Sequence, residues 1–271
     1  MSQILPIGDF LPVDAEGYLI NPCRHELIVP PWSDVIAAII AAYLQHLEGK
    51  VHSLYLRGSV AKGTAITGVS DVDTFAVIFG ERDEIDRTWI AAFRQRMAVQ
   101  YPFQTGIELG FVPYRAVCDA DGAPGSRFMI KTQCLCLWGE DLAPLIPPYK
   151  PGRALAQHAF GIKADLQRVM EELPTVEDGS TVKDWCQWIM KRLVRTGFEL
   201  VMEQEQTYTR DLYPCYVAFS RHFPAQESQM QQALEWAIIP SDNKEDLTRF
   251  LDGFGAWIIM AVAETFPPAP G

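Results

Sequence analysis

Positive charge is scarce in this chain: 23 lysines and arginines face 34 aspartates and glutamates, a formal net charge of −11. That balance argues against broad binding to nucleic acid, which needs clustered Lys and Arg along the phosphate backbone. It suits a cationic small substrate better. Long apolar runs are missing too. The longest, VIAAIIAAYL, is too short to span a bilayer, and MSQILPIGDFLPVDAEG has no basic segment leading into an apolar core. The sequence therefore reads as cytoplasmic, with no membrane partner.

Other signatures are absent in informative ways. The six cysteines include no C-x-x-C pair and the five histidines no zinc spacing, which removes a metal knuckle and a redox motif and leaves reduced, mostly buried thiols. GSVAKGT at 58–64 opens like a phosphate-binding Walker loop but lacks Lys and Ser/Thr after its second glycine. G-x-G-x-x-G, G-x-S-x-G and the kinase signatures do not occur.

What the sequence does contain is a change of texture halfway along. PPWSDVIAAIIAAYLQHLEGK predicts a first helix, with Ser33 as N-cap and Gly49 as terminator. VHSLYL and DTFAVIFG read as strands, ERDEIDRTWIAAFRQRMAVQ as a charged amphipathic helix, GIELGFVPY as a third strand, and RFMIKTQCLCLWG as a further helix or strand. APLIPPYKPG, with four prolines and a glycine in ten residues, marks a boundary. Beyond it every periodic segment is helical, and Pro214 must either stand near the start of its helix or kink it. The expected fold class is α+β: a mixed sheet with flanking helices at 1–146, then a helical bundle at 147–271.

The chemistry concentrates in YLRGSVAKGTAITGVSDVDTFAVI, residues 55–78. Alternate side chains of a strand share a face, so Asp71 and Asp73 are expected to point the same way a few ångströms apart. Two carboxylates that close repel unless a cation lies between them. Oxygen ligands with no His or Cys nearby fit Mg²⁺ or Mn²⁺, and Mg²⁺ is commonly held by one or two carboxylates plus substrate phosphates. The Gly58-Ser59 turn supplies backbone N–H groups and a hydroxyl for an anion, with Lys62 and Arg57 near enough in sequence to add positive charge. This is a layout for chemistry on a nucleoside triphosphate; which chemistry is left open by the residues alone.

The stretch LRGSVAKGTAITGVSDVDTFAVI resembles the nucleotidyltransferase superfamily that shares a core with DNA polymerase β. It has the apolar strand, the Gly-Ser, the spacer with Gly63 inside it, Ser70, and Asp-x-Asp entering the next strand. The spacer is one residue longer than the commonest form. The resemblance implies a third carboxylate on a later strand, matched by Glu108 in TGIELGFV, acting as general base on an acceptor hydroxyl or as a metal ligand. It implies a Mg²⁺-dependent transferase, ATP first among co-substrates, moving AMP to a hydroxyl of a small-molecule acceptor, aminoglycoside-like, with loss of pyrophosphate. LWGEDLAPLIP is similar to the segment leading such enzymes into a helical C-terminal domain that closes the cleft.

The expected site is thus Asp71, Asp73 and Glu108 on the metal and the reaction, with Gly58, Ser59, Lys62 and Ser70 holding the nucleotide. Lys191 and Arg195, four apart on a predicted helix, are candidates for the triphosphate, with Lys183 and Arg192 behind them. YTRDLYPCY at 208–216 reads either as acceptor pocket or as packing. Two other readings compete: a minimal antitoxin-type enzyme that adenylylates a protein, disfavoured by the large helical half, and a silent nucleotide-sensing scaffold, disfavoured by three intact acids.

Overall fold

Strand-favouring residues are densest in VDTFAVI at 72–78, where Val72, Thr74, Val77 and Ile78 are β-branched. The computed structural model describes residues 4–119 and 123–267, and its chain divides into two units. One is Ile20–Tyr149; the other joins the described residues up to Leu19 to those from Lys150 onward. The second boundary lies in the proline-rich stretch, as expected of a segment that neither helix nor central strand can absorb.

The first unit runs α1 (Trp32–His46), β1 (Val51–Arg57), α2 (Ser59–Lys62), β2 (Val72–Ile78), α3 (Trp89–Gln100), β3 (Ile107–Pro113), α4 (Tyr114–Cys118), α5 (Pro124–Gln133) and β4 (Cys134–Gly139). The sheet order is β3-β2-β1-β4, with β1 antiparallel to β2 and β4, and β2 parallel to β3. A parallel pair needs a long crossover, which the α3 segment provides.

Period-two alternation sends side chains to two buried layers. Leu54, Leu56, Ala76, Ile78 and Leu109 pack with Val35, Ile39 and Tyr43 of α1 and with Trp89, Phe93 and Met97 of α3. Tyr55, Phe75, Val77 and Val112 face the other way, onto Val117 of α4, Ile130 of α5, and Leu142 and Ile146 beyond β4. Tyr55 and Phe75 stack at 5.3 Å. Gly110 makes room for this layer, since a Cβ there would stand 3.0 Å from that of Phe75.

Two helix limits differ from expectation. Ser33 is not a cap: α1 begins at Trp32, and the Ser33 N–H donates to Val29 O within the first turn. The charged helix expected from residue 81 begins only at Trp89. Asp86 captures the Thr88 N–H and hydroxyl at 2.9 and 2.7 Å, a side-chain turn that competes with helical pairing.

The second unit contains α6 (Gln157–Glu172), α7 (Gly179–Glu205), α8 (Leu212–His222), α9 (Glu227–Ile238), α10 (Lys244–Phe250) and α11 (Ala256–Thr265), the last two joined by a π-turn at Leu251–Gly255. Helix α7 is capped by Asp178, which accepts from Ser180 N and Thr181 N, and it is the bundle's axis: every residue from Thr196 to Met202 is buried. Gly197 lets α8 and α9 approach, because a Cβ there would lie 2.9 Å from Phe219. Pro214 stands in the first turn of α8, where its missing N–H costs nothing.

Residues 4–19, read from sequence as an extension of the sheet domain, belong to this helical unit. Leu11 N donates to Tyr208 O at 2.7 Å, and the hydroxyls of Thr207 and Thr209 donate to Leu11 O and Asp9 O. In the 208–216 segment Tyr208, Thr209, Pro214 and Cys215 are buried, while Arg210 is exposed.

Candidate active site

The end of the sheet carries a polar row. In the β1–β2 register Arg57 is opposite Asp73, and in the β2–β3 register Asp73 is opposite Glu108. Three adjacent strands therefore place Arg57, Asp73 and Glu108 side by side. They lie on the same face as Tyr55, Phe75 and Val112, one step beyond where that apolar layer ends. Period two makes this inevitable once the register is set.

Arg57 sits between the acids. Its Nη2 donates to Glu108 Oε2 at 3.1 Å and lies 3.5 Å from Asp73 Oδ2. The Asp73 carboxyl stands beside that of Glu108 across the β2–β3 pair. The Asp73 pKa is pushed up to about 7, first by burial and then by Glu108, against the pull of Arg57. Glu108 is held below the usual range, first by the hydrogen bond from Asp73 and also by Arg57. The Asp73 side chain is 16 % exposed and that of Glu108 59 %, so the same row presents one sheltered acid and one open carboxylate.

Main-chain ties fix these positions. Thr74, on the opposite face, donates its hydroxyl to Glu108 O at 2.9 Å, and the Tyr43 hydroxyl donates to Gly110 O at 3.2 Å. Arg94 of α3 donates through Nε to Ile107 O at 2.8 Å.

The Gly58-Ser59 turn closes on this row. Gly58 has φ 81° and ψ −158°, a region reserved for glycine, and a Cβ there would stand 3.4 Å from Asp73 Oδ2. Ser59 begins α2, and its carbonyl accepts from Thr64 N at 2.9 Å. The structure thus brings Gly58, Ser59, Asp73 and Glu108 together, with Asp71 exposed just ahead of β2 and close enough to raise the Asp73 pKa.

Other expected site residues have different surroundings. Ser70 closes its own loop: its hydroxyl accepts the Ile66 N–H at 2.9 Å, and its backbone pairs with Ile66 O and Thr105 N. Lys62 ends α2 and pulls on the Cys23 thiol, which burial pushes up to about 11. Lys191 and Arg195 stand on α7 in the helical unit, where burial lowers both pKa values and Arg195 Nε donates to Arg210 O at 3.1 Å. Lys183 pairs with Asp242 at 3.2 Å and Arg192 with Asp165.

Among the described residues, no three His, Cys, Asp or Glu side chains are gathered as a metal cage. Of the three expected ligands, Asp73 and Glu108 stand opposite one another across β2 and β3, and Asp71 lies exposed just ahead of β2. The pair offers only oxygen donors, already organised around one positive group, and that donor chemistry fits a hard divalent cation.

Arg57 is the residue that sequence reading undervalued. The signal was there, since Arg57 ends β1 as Asp73 opens β2, but pairing them requires the register across a long, partly helical connection. Burial of unpaired thiols is visible as expected: Cys23, Cys134, Cys186 and Cys215 are buried and all six cysteines are free. Among the described residues no helix is long and apolar enough to cross a membrane.

No family model matches the chain, and no curated protein matches it. Among solved structures it is similar to spectinomycin adenyltransferase AAD(9) from Enterococcus faecialis, crystallised with ATP and spectinomycin. The TM-score is 0.46 at 9 % identity, over 86 % of this chain and 97 % of that one.

Proposed function

We propose that the protein is a Mg²⁺-dependent nucleotidyltransferase that moves AMP from ATP to a hydroxyl of a small, aminoglycoside-like acceptor and releases pyrophosphate. The observation that carries this reading is the closure of the Gly58 turn on Asp73 with Glu108 in the same row. An anion-binding turn against two acids is a costly arrangement without a ligand that reconciles them.

Asp71 and Asp73 are the residues proposed to hold the ion, and Gly58 and Ser59 to hold phosphate oxygens. When bound, a divalent cation neutralises the triphosphate and fixes its orientation for in-line attack. Glu108 is proposed as the general base. Its carboxylate is ionised and open to solvent, as a group that must accept a proton from an incoming hydroxyl has to be. Attack of the acceptor oxygen on the α-phosphorus forms the new ester bond, breaks the α–β bridge and leaves pyrophosphate, with the hydroxyl proton passing to Glu108.

The test is a pyrophosphate-release assay with ATP, GTP, CTP and UTP in Mg²⁺, run against aminoglycosides and other polyols. Release with wild-type protein and loss of it in Asp73→Asn are the expected results. Absence of release with every nucleotide and acceptor, together with no thermal shift by any triphosphate, returns the protein to the scaffold class.

A further inference from the structure

We infer that Arg57 is a positioning residue that stands in for the metal in the free protein: it holds Asp73 and Glu108 together until a divalent cation takes over their charge. This inference rests on the nucleotidyltransferase reading and extends it to a residue which the Gly-Ser and Asp-x-Asp pattern does not include.

The geometry leads to it directly. Arg57, Asp73 and Glu108 occupy one row of the sheet, and the Arg57 Nη2 reaches Glu108 Oε2 at 3.1 Å and Asp73 Oδ2 at 3.5 Å. Asp73 Oδ2 also faces the Gly58 turn. A guanidinium is never deprotonated, so this charge cannot be removed by losing a proton; it can only be displaced. Arg94, which also acts on Glu108, is anchored through Nε to Ile107 O, and Arg57 is the cation that bridges both acids among the described residues. The Arg57 side chain is 37 % exposed, which leaves it room to swing outward.

Two positive groups competing for one pair of carboxylates make a definite prediction. Removing the arginine charge costs stability in the metal-free protein and strengthens binding of the bare ion. The experiment measures Mn²⁺ affinity, without nucleotide, from the signal of free Mn²⁺ in electron spin resonance, for wild type, Arg57→Met and Arg57→Lys. The metal-free Tm is recorded alongside. The expected result is a Kd about tenfold lower in Arg57→Met, a lower metal-free Tm restored by Mn²⁺, and near wild-type behaviour in Arg57→Lys.

A residue that merely built the site would give the reverse, weaker Mn²⁺ binding on its loss; equal or weaker binding in Arg57→Met overturns the inference while leaving the metal reading in place. Failure of wild type and variant alike to bind Mn²⁺, with or without ATP, overturns the metal reading and this inference with it. Should Arg57→Met not fold, Arg57→Met/Asp73→Asn removes the repulsion that the arginine relieves. That double variant regaining the fold supports the inference, and its failing to do so overturns it.

Discussion

Asp73 and Glu108 stand opposite one another on parallel strands, and the Arg57 guanidinium reaches both, 3.5 Å from Asp73 Oδ2 and 3.1 Å from Glu108 Oε2. Register alone creates this meeting: shift β3 by one residue and Glu108 points to the layer of Tyr43 and Trp89 instead. The Thr74 hydroxyl bond to Glu108 O and the Arg94 bond to Ile107 O resist such a slip.

Asp73→Asn is expected to abolish nucleotidyl transfer and yet stabilise the fold. The folded-state pKa of Asp73 is raised, to about 7, so the fold favours the protonated form. The benefit of that proton is complete below the ordinary value of 3.8 and is lost as pH rises towards 7. At pH 8 the carboxylate opposes folding, whereas an asparagine amide stays neutral. Thermal unfolding in chelator should show the variant a few degrees above wild type at pH 8, with the gap narrowing by pH 5.

Metal affinity should carry the same proton. An ion that needs Asp73 ionised competes with it for protons, so affinity rises with pH up to about 7 and levels off above. Below that point the gain is about tenfold per pH unit for a single proton released. Mn²⁺ titrations at pH 5.5, 6.5 and 8 check this. A flat profile assigns the ion to other ligands.

Gly58→Ala tests the turn. At φ 81° and ψ −158° a Cβ is strained by about 1–3 kcal/mol whatever the space around it. Here the added methyl also stands 3.4 Å from Asp73 Oδ2. The expected outcome is a lower Tm and a loss of transfer greater than the stability change explains, read by kcat/KM at a temperature where the variant is fully folded.

Much of this was legible from sequence because local chemistry and tertiary packing agree. The strand–turn–strand reading of 51–78 survives since Val51–Arg57 and Val72–Ile78 both bury four or more consecutive residues of apolar character or small size. The proline-rich stretch marks a boundary because proline is a property of one residue, readable in place. Arg57 beside Asp73, Ser70 turned onto Ile66, and residues 9–11 paired with the segment near 208 all depend on contacts distant along the chain. Sequence periodicity has no access to those. The helix expected from residue 81 fails for a subtler reason: Asp86 chose a side-chain turn over a helical one, a local competition in which both outcomes have the same composition.

The helical unit offers its own test at Glu199. This residue of α7 is 4 % exposed, and its carboxylate accepts from His158 N and Ala159 N at 3.2 and 2.6 Å and from His158 Nδ1 at 2.7 Å. It thereby caps the first turn of α6 from a neighbouring helix, placing negative charge at the positive end of the helix dipole. Glu199→Ala leaves three buried donors without an acceptor and should cost about 3–5 kcal/mol, on the order of 10 °C in Tm. Burial holds the His158 pKa below its ordinary 6.5 despite the carboxylate, so the fold favours neutral imidazole. Stability from this group is complete above 6.5 and falls as pH drops towards the lowered value. Unfolding curves of wild type and His158→Gln between pH 5 and 8 should therefore diverge at the alkaline end, where the intact pair is worth most, and draw together in acid.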